Sequence, residues 1–273
     1  MSTRRADTSA DSAPLIIGHR GASWAAPENT LAAFARALDD GADGLEFDVR
    51  LARDGVAVCI HDATLERTAL CRARVSALTS RELSETSAGT WFNRKFPARA
   101  LDAYERERIP TLAQVFELAG RRSKALYVEM KFEAREAFAP LAAEVVRQIR
   151  AHRLEDVCVV ESFALEAVAE VKRLAPDLRA AALFERKLTR PSPSRRRIVE
   201  QALACRADEV ALHHSLARAA LVREARERGL RAVVWTADHP SWARRAVELS
   251  LRAVITNRPA EMRAALDAQL QRR

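Results

Sequence analysis

No apolar run in the sequence approaches the roughly 18 residues a membrane-crossing helix needs, so no membrane span is expected. Cysteine is scarce. The four present (Cys59, Cys71, Cys158, Cys205) are scattered without a CxxC pair, which excludes a disulfide framework and a cysteine-built zinc site. Free thiols in a reducing compartment are the expectation. Glycine (8) and proline (10) are too few for a fibrous or low-complexity chain. No helix or groove motif of a nucleic-acid reader is present, so no nucleic-acid partner is expected. The formal charge of +8 fits either a solvated arginine-rich surface or a small anionic partner such as a phosphate. Residues 1–13 (MSTRRADTSADSA) are polar and lack the apolar centre of a signal peptide. They read as a disordered tail, and the protein as cytoplasmic.

What remains is 273 residues, 48% apolar and 30% charged, long enough for a sizeable core. Short apolar runs recur along it: LIIGH (15–19), GLEFDV (44–49), VAVCIH (56–61), ALYVEMK (125–131), VCVVESF (157–163), AAALF (180–184), EVALHH (209–214), AVVWT (232–236) and AVITN (253–257). Helical patterns such as TLAAFARALDDG and LEAVAEVKRLAPD separate most of them. Repeated strand-then-helix units predict a parallel sheet, and this number in one chain predicts an α/β fold of the TIM (β/α)8 barrel type. The run at 56–61 is surplus. Between it and GLEFDV there is no room for a crossover helix, only a turn ending in Asp54-Gly55. The chain is therefore expected to turn near Arg53–Asp54 and return antiparallel, bringing His61 beside Glu46 and Asp48. The barrel is assigned to 14–49 and 111–273. The polar, turn-rich segment 50–110 is assigned to a small insertion capping the mouth. The Arg-rich stretch TRPSPSRRR (189–197) reads as a solvated loop.

Side chains alternate across a strand. Leu45, Phe47 and Val49 share one face of GLEFDV, and Glu46 and Asp48 the other. In ALYVEMK, Tyr127, Glu129 and Lys131 share the polar face. If the apolar faces pack on the outer helices, Glu46, Asp48 and Glu129 converge inside the barrel. Buried like charges repel, and a divalent cation resolves the repulsion. All-oxygen ligation selects a hard metal, Mg2+ or Ca2+. Gly18-His19-Arg20-Gly21 ends the first strand, before a helix that Asn29 or Thr30 can cap. Arg20 and Lys131 suit a phosphate. His19 and His61 suit proton transfer to and from entering and leaving oxygens. Together these groups point to phosphodiester cleavage, with acid and base not assigned between the two histidines.

The run HRGASWAAPENTLAAFARALDDGADGLEFDVRLARDGVAVCIHDATLERT resembles the signature of the glycerophosphodiester phosphodiesterase family. The similarity is dense from Gly18 to Thr68 and continues more weakly through VEMK, ESF, VVWTAD and AVITNRP. The resemblance implies a TIM barrel with an insertion after the second strand and a cation held by Glu46, Asp48 and Glu129. It implies His19 and His61 as the acid/base pair, with Arg20 and Lys131 on the phosphate. The implied reaction releases glycerol 3-phosphate and an alcohol such as choline or ethanolamine, with the glycerol 2-hydroxyl able to attack first through a cyclic phosphate. Phe163 and Trp235 are candidate pocket walls, and Asn257 a lesser candidate for a hydrogen bond at the mouth. Where many relatives read WTVN, this chain reads Trp235-Thr236-Ala237-Asp238, so no polar role is carried over to that turn. A lysophospholipase D-type or phosphoinositide-type phosphodiesterase is the alternative on the same barrel. It would need an apolar entrance, for which Trp91, Phe92 and Phe96 are the candidates unless they form the core of the cap.

Overall fold

Eight of the apolar runs close into a parallel barrel, and the ninth pairs outside it. The computed structural model describes residues 13–133, 138–186 and 193–272. The barrel strands are β1 (Leu15–His19), β2 (Gly44–Leu51), β4 (Ala125–Met130), β5 (Cys158–Ser162), β6 (Arg179–Phe184), β7 (Glu209–His213), β8 (Arg231–Trp235) and β9 (Ala253–Thr256). Each pairs in parallel with the next, and β1 closes the ring by pairing with both β2 and β9. Helices α1 (Leu31–Asp39), α5 (Leu112–Ala119), α6 (Phe138–His152), α7 (Leu165–Leu174), α8 (Arg195–Ala204), α9 (Ala219–Glu227), α10 (Ser241–Glu248) and α11 (Pro259–Leu270) lie outside the strands. This is a TIM barrel, as the strand and helix pattern predicts.

The alternation of side chains sorts the interior. Outward-facing Leu45, Phe47, Val49, Leu126 and Val128 pack with Phe34, Val115 and Phe116 of the helices. Phe47 meets Phe34 edge-on at a centroid distance of 5.6 Å. Burying one such side chain contributes about 1.5–3 kcal/mol. The barrel's inner layer mixes Ala125, Ala181, Ala211 and Ala253 with larger Leu15, Ile17, Tyr127, Val159, Leu183, Val233 and Ile255. That leaves the late positions of the same strands free for polar groups at the C-terminal mouth, where barrels of this kind place their sites.

The surplus strand, β3 (Ala57–Cys59), pairs antiparallel with β2 in the register Val49↔Cys59, Arg50↔Val58 and Leu51↔Ala57. The pairing extends β2 to Leu51, two residues past the expected barrel boundary at 49, because the ladder with β3 starts where the ladder with β4 ends. Short helices α2 (Glu66–Ala69), α3 (Ser80–Ser84) and α4 (Thr90–Lys95) follow, before Thr111 caps α5. Trp91 and Phe92 are buried against Ala26, Ala33 and Tyr104, with Phe96 packed on them. Residues 1–12 of the expected tail and 189–192 of the expected loop lie outside the described residues. Arg195–Arg197 are not loop but the exposed first turn of α8, capped by the Ser194 hydroxyl, which accepts from Arg197 N at 3.2 Å.

Two glycines separate steric from conformational demand. A Cβ on Gly44 would lie 1.8 Å from the Ala125 carbonyl oxygen, so β2 and β4 meet closely at their base. Gly55, at φ 78°, has no atom within 4 Å of such a Cβ. Gly44→Ala is expected to lower unfolding free energy by about 3 kcal/mol or more through backbone displacement. Gly55→Ala is expected to cost about 1–2 kcal/mol through its left-handed backbone alone. Urea denaturation of both variants checks the order, and equal losses would contradict it.

Candidate active site

The sequence Gly18-His19-Arg20-Gly21 reverses the chain at the end of β1. Arg20 (φ 53°) and Gly21 (φ 82°) are both left-handed, and a Cβ on Gly21 would strike the Ala33 backbone at 2.5 Å. Strain of about 1–3 kcal/mol at a non-glycine position persists only where surroundings over-determine it. Here the Arg20 N–H donates to the Glu46 carbonyl at 2.8 Å and to Glu46 Oε2 at 3.1 Å. The turn lays the guanidinium against two carboxylates, Nε 3.0 Å from Asp48 Oδ2 and Nη1 2.8 Å from Glu28 Oε1. Of the two candidate caps, Thr30 serves α1, its hydroxyl accepting from Ala33 N at 3.2 Å. Asn29 instead donates Nδ2 to Asp48 Oδ2 at 2.9 Å and accepts from Asp48 N at 3.3 Å.

Adjacent strands bring the acids together. The register of β2 and β4 sets Asp48 beside Glu129. One oxygen each from Glu46, Asp48 and Glu129, all buried, lies within 4.8 Å of the others. Lys131 places its ammonium 2.6 Å from Glu129 Oε1 and 3.4 Å from Asp48 Oδ1, yet neither oxygen receives a well-aligned hydrogen bond. Desolvation raises the Glu46 carboxyl well above its ordinary range, with Asp48 and Glu129 adding repulsion. Desolvation and Asp48 likewise push Glu129 up to about 7. Asp48 is also desolvated, but Arg20 and Lys131 outweigh that and hold it below the usual carboxylate range.

These residues fit a hard divalent cation. The donors are all carboxylate oxygens, and two of their buried oxygens lack an aligned partner.

The hairpin carries His61 to the same mouth. Its Nδ1 lies 2.6 Å from Asp62 Oδ1. Arg67 holds Asp62 by Nε and pairs with Glu28 by both terminal nitrogens. Glu28 in turn pairs with Arg20, so one charge chain ties the hairpin's far side to the β1 turn. His19 Nδ1 meets Asn257 Oδ1 at 2.7 Å, and its Nε2 lies 3.8 Å from Glu46 Oε2. Desolvation, with Arg20 beside it, pushes His19 down to about 4, and desolvation lowers His61 as well.

All seven polar residues singled out from the sequence therefore meet at one mouth. His19, Arg20, Glu46, His61, Glu129 and Lys131 line a cavity of about 150 Å³, with Asp48 beneath. Phe163 and Trp235 form its wall, edge to face at 5.4 Å, with Phe163 38% exposed. The sequence reading passed over Glu161, which lines the same cavity and is raised well above its ordinary range by desolvation and by Glu46 and Glu129. Its parity with Phe163 was a usable signal, and its register with Glu129 was not visible. Glu28 and Asp62, in turns, and Arg67, in the one-turn helix α2, were also passed over, because such short segments carry no periodicity.

Residues 19–261 match the glycerophosphoryl diester phosphodiesterase family. The glycerophosphodiester phosphodiesterase of Caldanaerobacter subterraneus subsp. tengcongensis is 32% identical over 247 residues, covering 90% of this chain and 94% of the relative. Among solved structures, an Oleispira antarctica phosphodiesterase in complex with the product sn-glycerol-3-phosphate is similar at TM-score 0.80 and 26% identity, over 93% of this chain and 97% of that one. The glycerophosphodiester phosphodiesterase of Agrobacterium tumefaciens is similar at TM-score 0.76 and 26% identity, over 92% and 99% of the two chains.

The crowding has a sign that can be measured. A carboxyl whose folded pKa is raised costs stability as pH climbs from its unfolded value toward the folded one. The cation-free Glu46→Gln variant is therefore expected to gain stability relative to the parent as pH rises above the ordinary glutamate range. The same variant is expected to bind Mg2+ or Ca2+ at least about 100-fold more weakly. Urea denaturation at several pH values and titration calorimetry read the two effects. A constant stability difference with unchanged affinity would remove Glu46 from the cluster.

Proposed function

Because the chain belongs to the glycerophosphoryl diester phosphodiesterase family, we propose that it hydrolyses glycerophosphodiesters to glycerol 3-phosphate and an alcohol, by divalent-cation-dependent, two-histidine catalysis. One observation carries the mechanism: both imidazoles have Nδ1 engaged behind them, His19 on Asn257 and His61 on Asp62. That leaves Nε2 of each for a substrate in the cavity they line.

The two rings differ in their partners, and the difference assigns their roles. His19 rests on an uncharged amide and is pushed down to about 4, chiefly by desolvation, so it starts neutral and acts as the base. It takes the proton of the attacking hydroxyl, whether the glycerol 2-hydroxyl or water. His61 rests on a carboxylate, which stabilises its imidazolium, so it delivers a proton to the departing alcohol oxygen. The new P–O bond forms as the bond to the alcohol breaks. Where a cyclic phosphate results, water opens it with the two roles reversed. Arg20 and Lys131 face the phosphoryl oxygens at the edge of the acidic cluster. A cation held by Glu46, Asp48 and Glu129, Mg2+ or Ca2+, would offset phosphoryl charge and orient a neighbouring hydroxyl.

Phe163 and Trp235 form the aromatic wall of the cavity and receive the glycerol or the alcohol. Two observations favour a headgroup diester over a lipid. The cavity is small, about 150 Å³, and Trp91, Phe92 and Phe96 pack with Tyr104 against Ala26 and Ala33 rather than lining it. Among the described residues no helix is long and apolar enough to cross a membrane. A cytoplasmic setting belongs to the same reading, supported by the four unpaired cysteines.

Glycerol 3-phosphate release from glycerophosphocholine is expected to stop in EDTA and return with Mg2+ or Ca2+. Turnover only of micellar lysophospholipid would favour the lipid alternative. His19→Ala and His61→Ala are each expected to lower kcat by at least about 10²–10⁴-fold with an unchanged circular dichroism spectrum. Full activity in either variant would refute the pair.

A further inference from the structure

The turn after β8 carries a carboxylate that none of this chemistry uses. Asp238 Oδ1 accepts from the Thr256 hydroxyl at 3.0 Å and from the Asn257 N–H at 2.8 Å. Its Oδ2 accepts from Asn257 Nδ2 at 2.7 Å. All three donors come from the end of β9. An ionised carboxylate can only accept, so it dictates which way the Asn257 amide is turned. With its NH2 committed to Asp238, Asn257 presents only its carbonyl oxygen on the other side. There it meets the Ser23 hydroxyl at 2.7 Å and His19 Nδ1 at 2.7 Å. An oxygen acceptor requires a proton on Nδ1. The lone pair of the neutral ring is then on Nε2, the nitrogen that faces Glu46 and the cavity.

We propose that Asp238 is a positioning residue for His19: by fixing the direction of the Asn257 amide it selects the His19 tautomer whose Nε2 can accept a proton. If Asn257 were reversed, its NH2 would face His19, Nδ1 would become the acceptor, and Nε2 would carry a hydrogen where a base is needed. Ser23 reinforces the same direction, since its hydroxyl also donates to Asn257 Oδ1. His61 needs no such intermediary, because Asp62 touches its Nδ1 directly. The catalytic consequence rests on His19 being the base; the tautomer itself does not.

The polarity argument gives three variants with different outcomes. In Asp238→Asn the new amide keeps its oxygen on Thr256 and the Asn257 N–H, and turns its NH2 toward the Asn257 side chain. That reverses Asn257 and His19 with it. Asp238→Ala leaves the amide without direction. The double exchange Asp238→Asn with Asn257→Asp moves the carboxylate to face His19 Nδ1, with an amide donor behind it, and restores the original polarity. The readout is the two-bond proton–nitrogen correlation spectrum of 15N-histidine-labelled protein with Mg2+ present, which reports the protonated nitrogen of each ring. Removal of a signal in His19→Ala assigns it among the six histidines.

The parent and the double exchange are expected to show the Nδ1–H form of His19, and Asp238→Asn the Nε2–H form or a mixture. In parallel, Asp238→Asn is expected to lower kcat on glycerophosphocholine by about 10²–10⁴-fold with KM within about two-fold. The double exchange is expected to recover most of the loss. An Nε2–H ring in the parent overturns the inference even if no variant folds, and so does an Nδ1–H ring retained in Asp238→Asn. A switched tautomer with unchanged kcat keeps the hydrogen-bond inference and removes His19 from the base role instead.

Discussion

Three buried carboxylates on two neighbouring parallel strands are the constraint around which this structure is arranged. Glu46, Asp48 and Glu129 are brought together by the β2–β4 register and cannot be solvated where they stand. Desolvating charges of one sign is among the most expensive acts in folding. The surrounding groups can be understood as responses to it. Arg20 accepts a left-handed backbone that brings its guanidinium to Asp48. Asn29, also left-handed at φ 56°, spends its side chain on Asp48 rather than capping α1. Lys131 spans Asp48 and Glu129. Even with these partners, Asp48 Oδ1 and Glu129 Oε1 are left without an aligned hydrogen bond, and the three carboxylates form a group that could hold a metal ion.

The barrel beneath the cluster is packed on both faces of its strands. The inner layer mixes alanines with larger side chains, and the outward faces pack against the helices. One inner-layer residue is Tyr127, whose hydroxyl donates to Glu209 Oε2 at 2.8 Å inside the barrel. This paired acid and Glu161 sit on strands facing the metal-type cluster. Desolvation, with repulsion from Glu46 and Glu129, raises the Glu161 carboxyl well above its ordinary range. In its neutral form this acid adds a polar floor without adding to the repulsion.

How much of this was legible in the sequence follows from which forces are local. Parity along a strand is local, so Glu46 and Asp48 could be assigned to one face and Phe47 to the other before any fold was in view. The absence of room for a crossover after β2 is local too, and it identified the antiparallel return that carries His61. The position of α1's cap was undecided because Asn29 and Thr30 are equally competent, and the choice was settled by Asp48, a residue from another strand. The same distinction explains Glu28, Arg67 and Glu161. Glu161 is recognisable only through Glu129 on the neighbouring strand, and Glu28 and Arg67 only through the ion pair that joins them across 39 residues. Asp238 is the sharpest case. Its turn departs from the family's usual letters, and only the neighbouring strand end shows that the position remained polar for a reason.

In the proposed mechanism, base and acid, His19 and His61, are separated by residues that never touch a substrate. Both rings are desolvated and both bind through Nδ1, so the bare geometry is nearly symmetrical. What breaks the symmetry is the charge of the partner. The carboxylate against His61 carries a full charge, whereas the amide against His19 is neutral and favours its imidazolium only through a hydrogen bond. A carboxylate placed directly on His19 would stabilise its imidazolium too and narrow the gap between the rings. Interposing Asn257 keeps the directional benefit of an anion, since Asp238 still fixes the hydrogen-bond polarity, while moving the charge one residue back. The arrangement therefore fixes the proton's location on His19 and its availability on His61 by separate means.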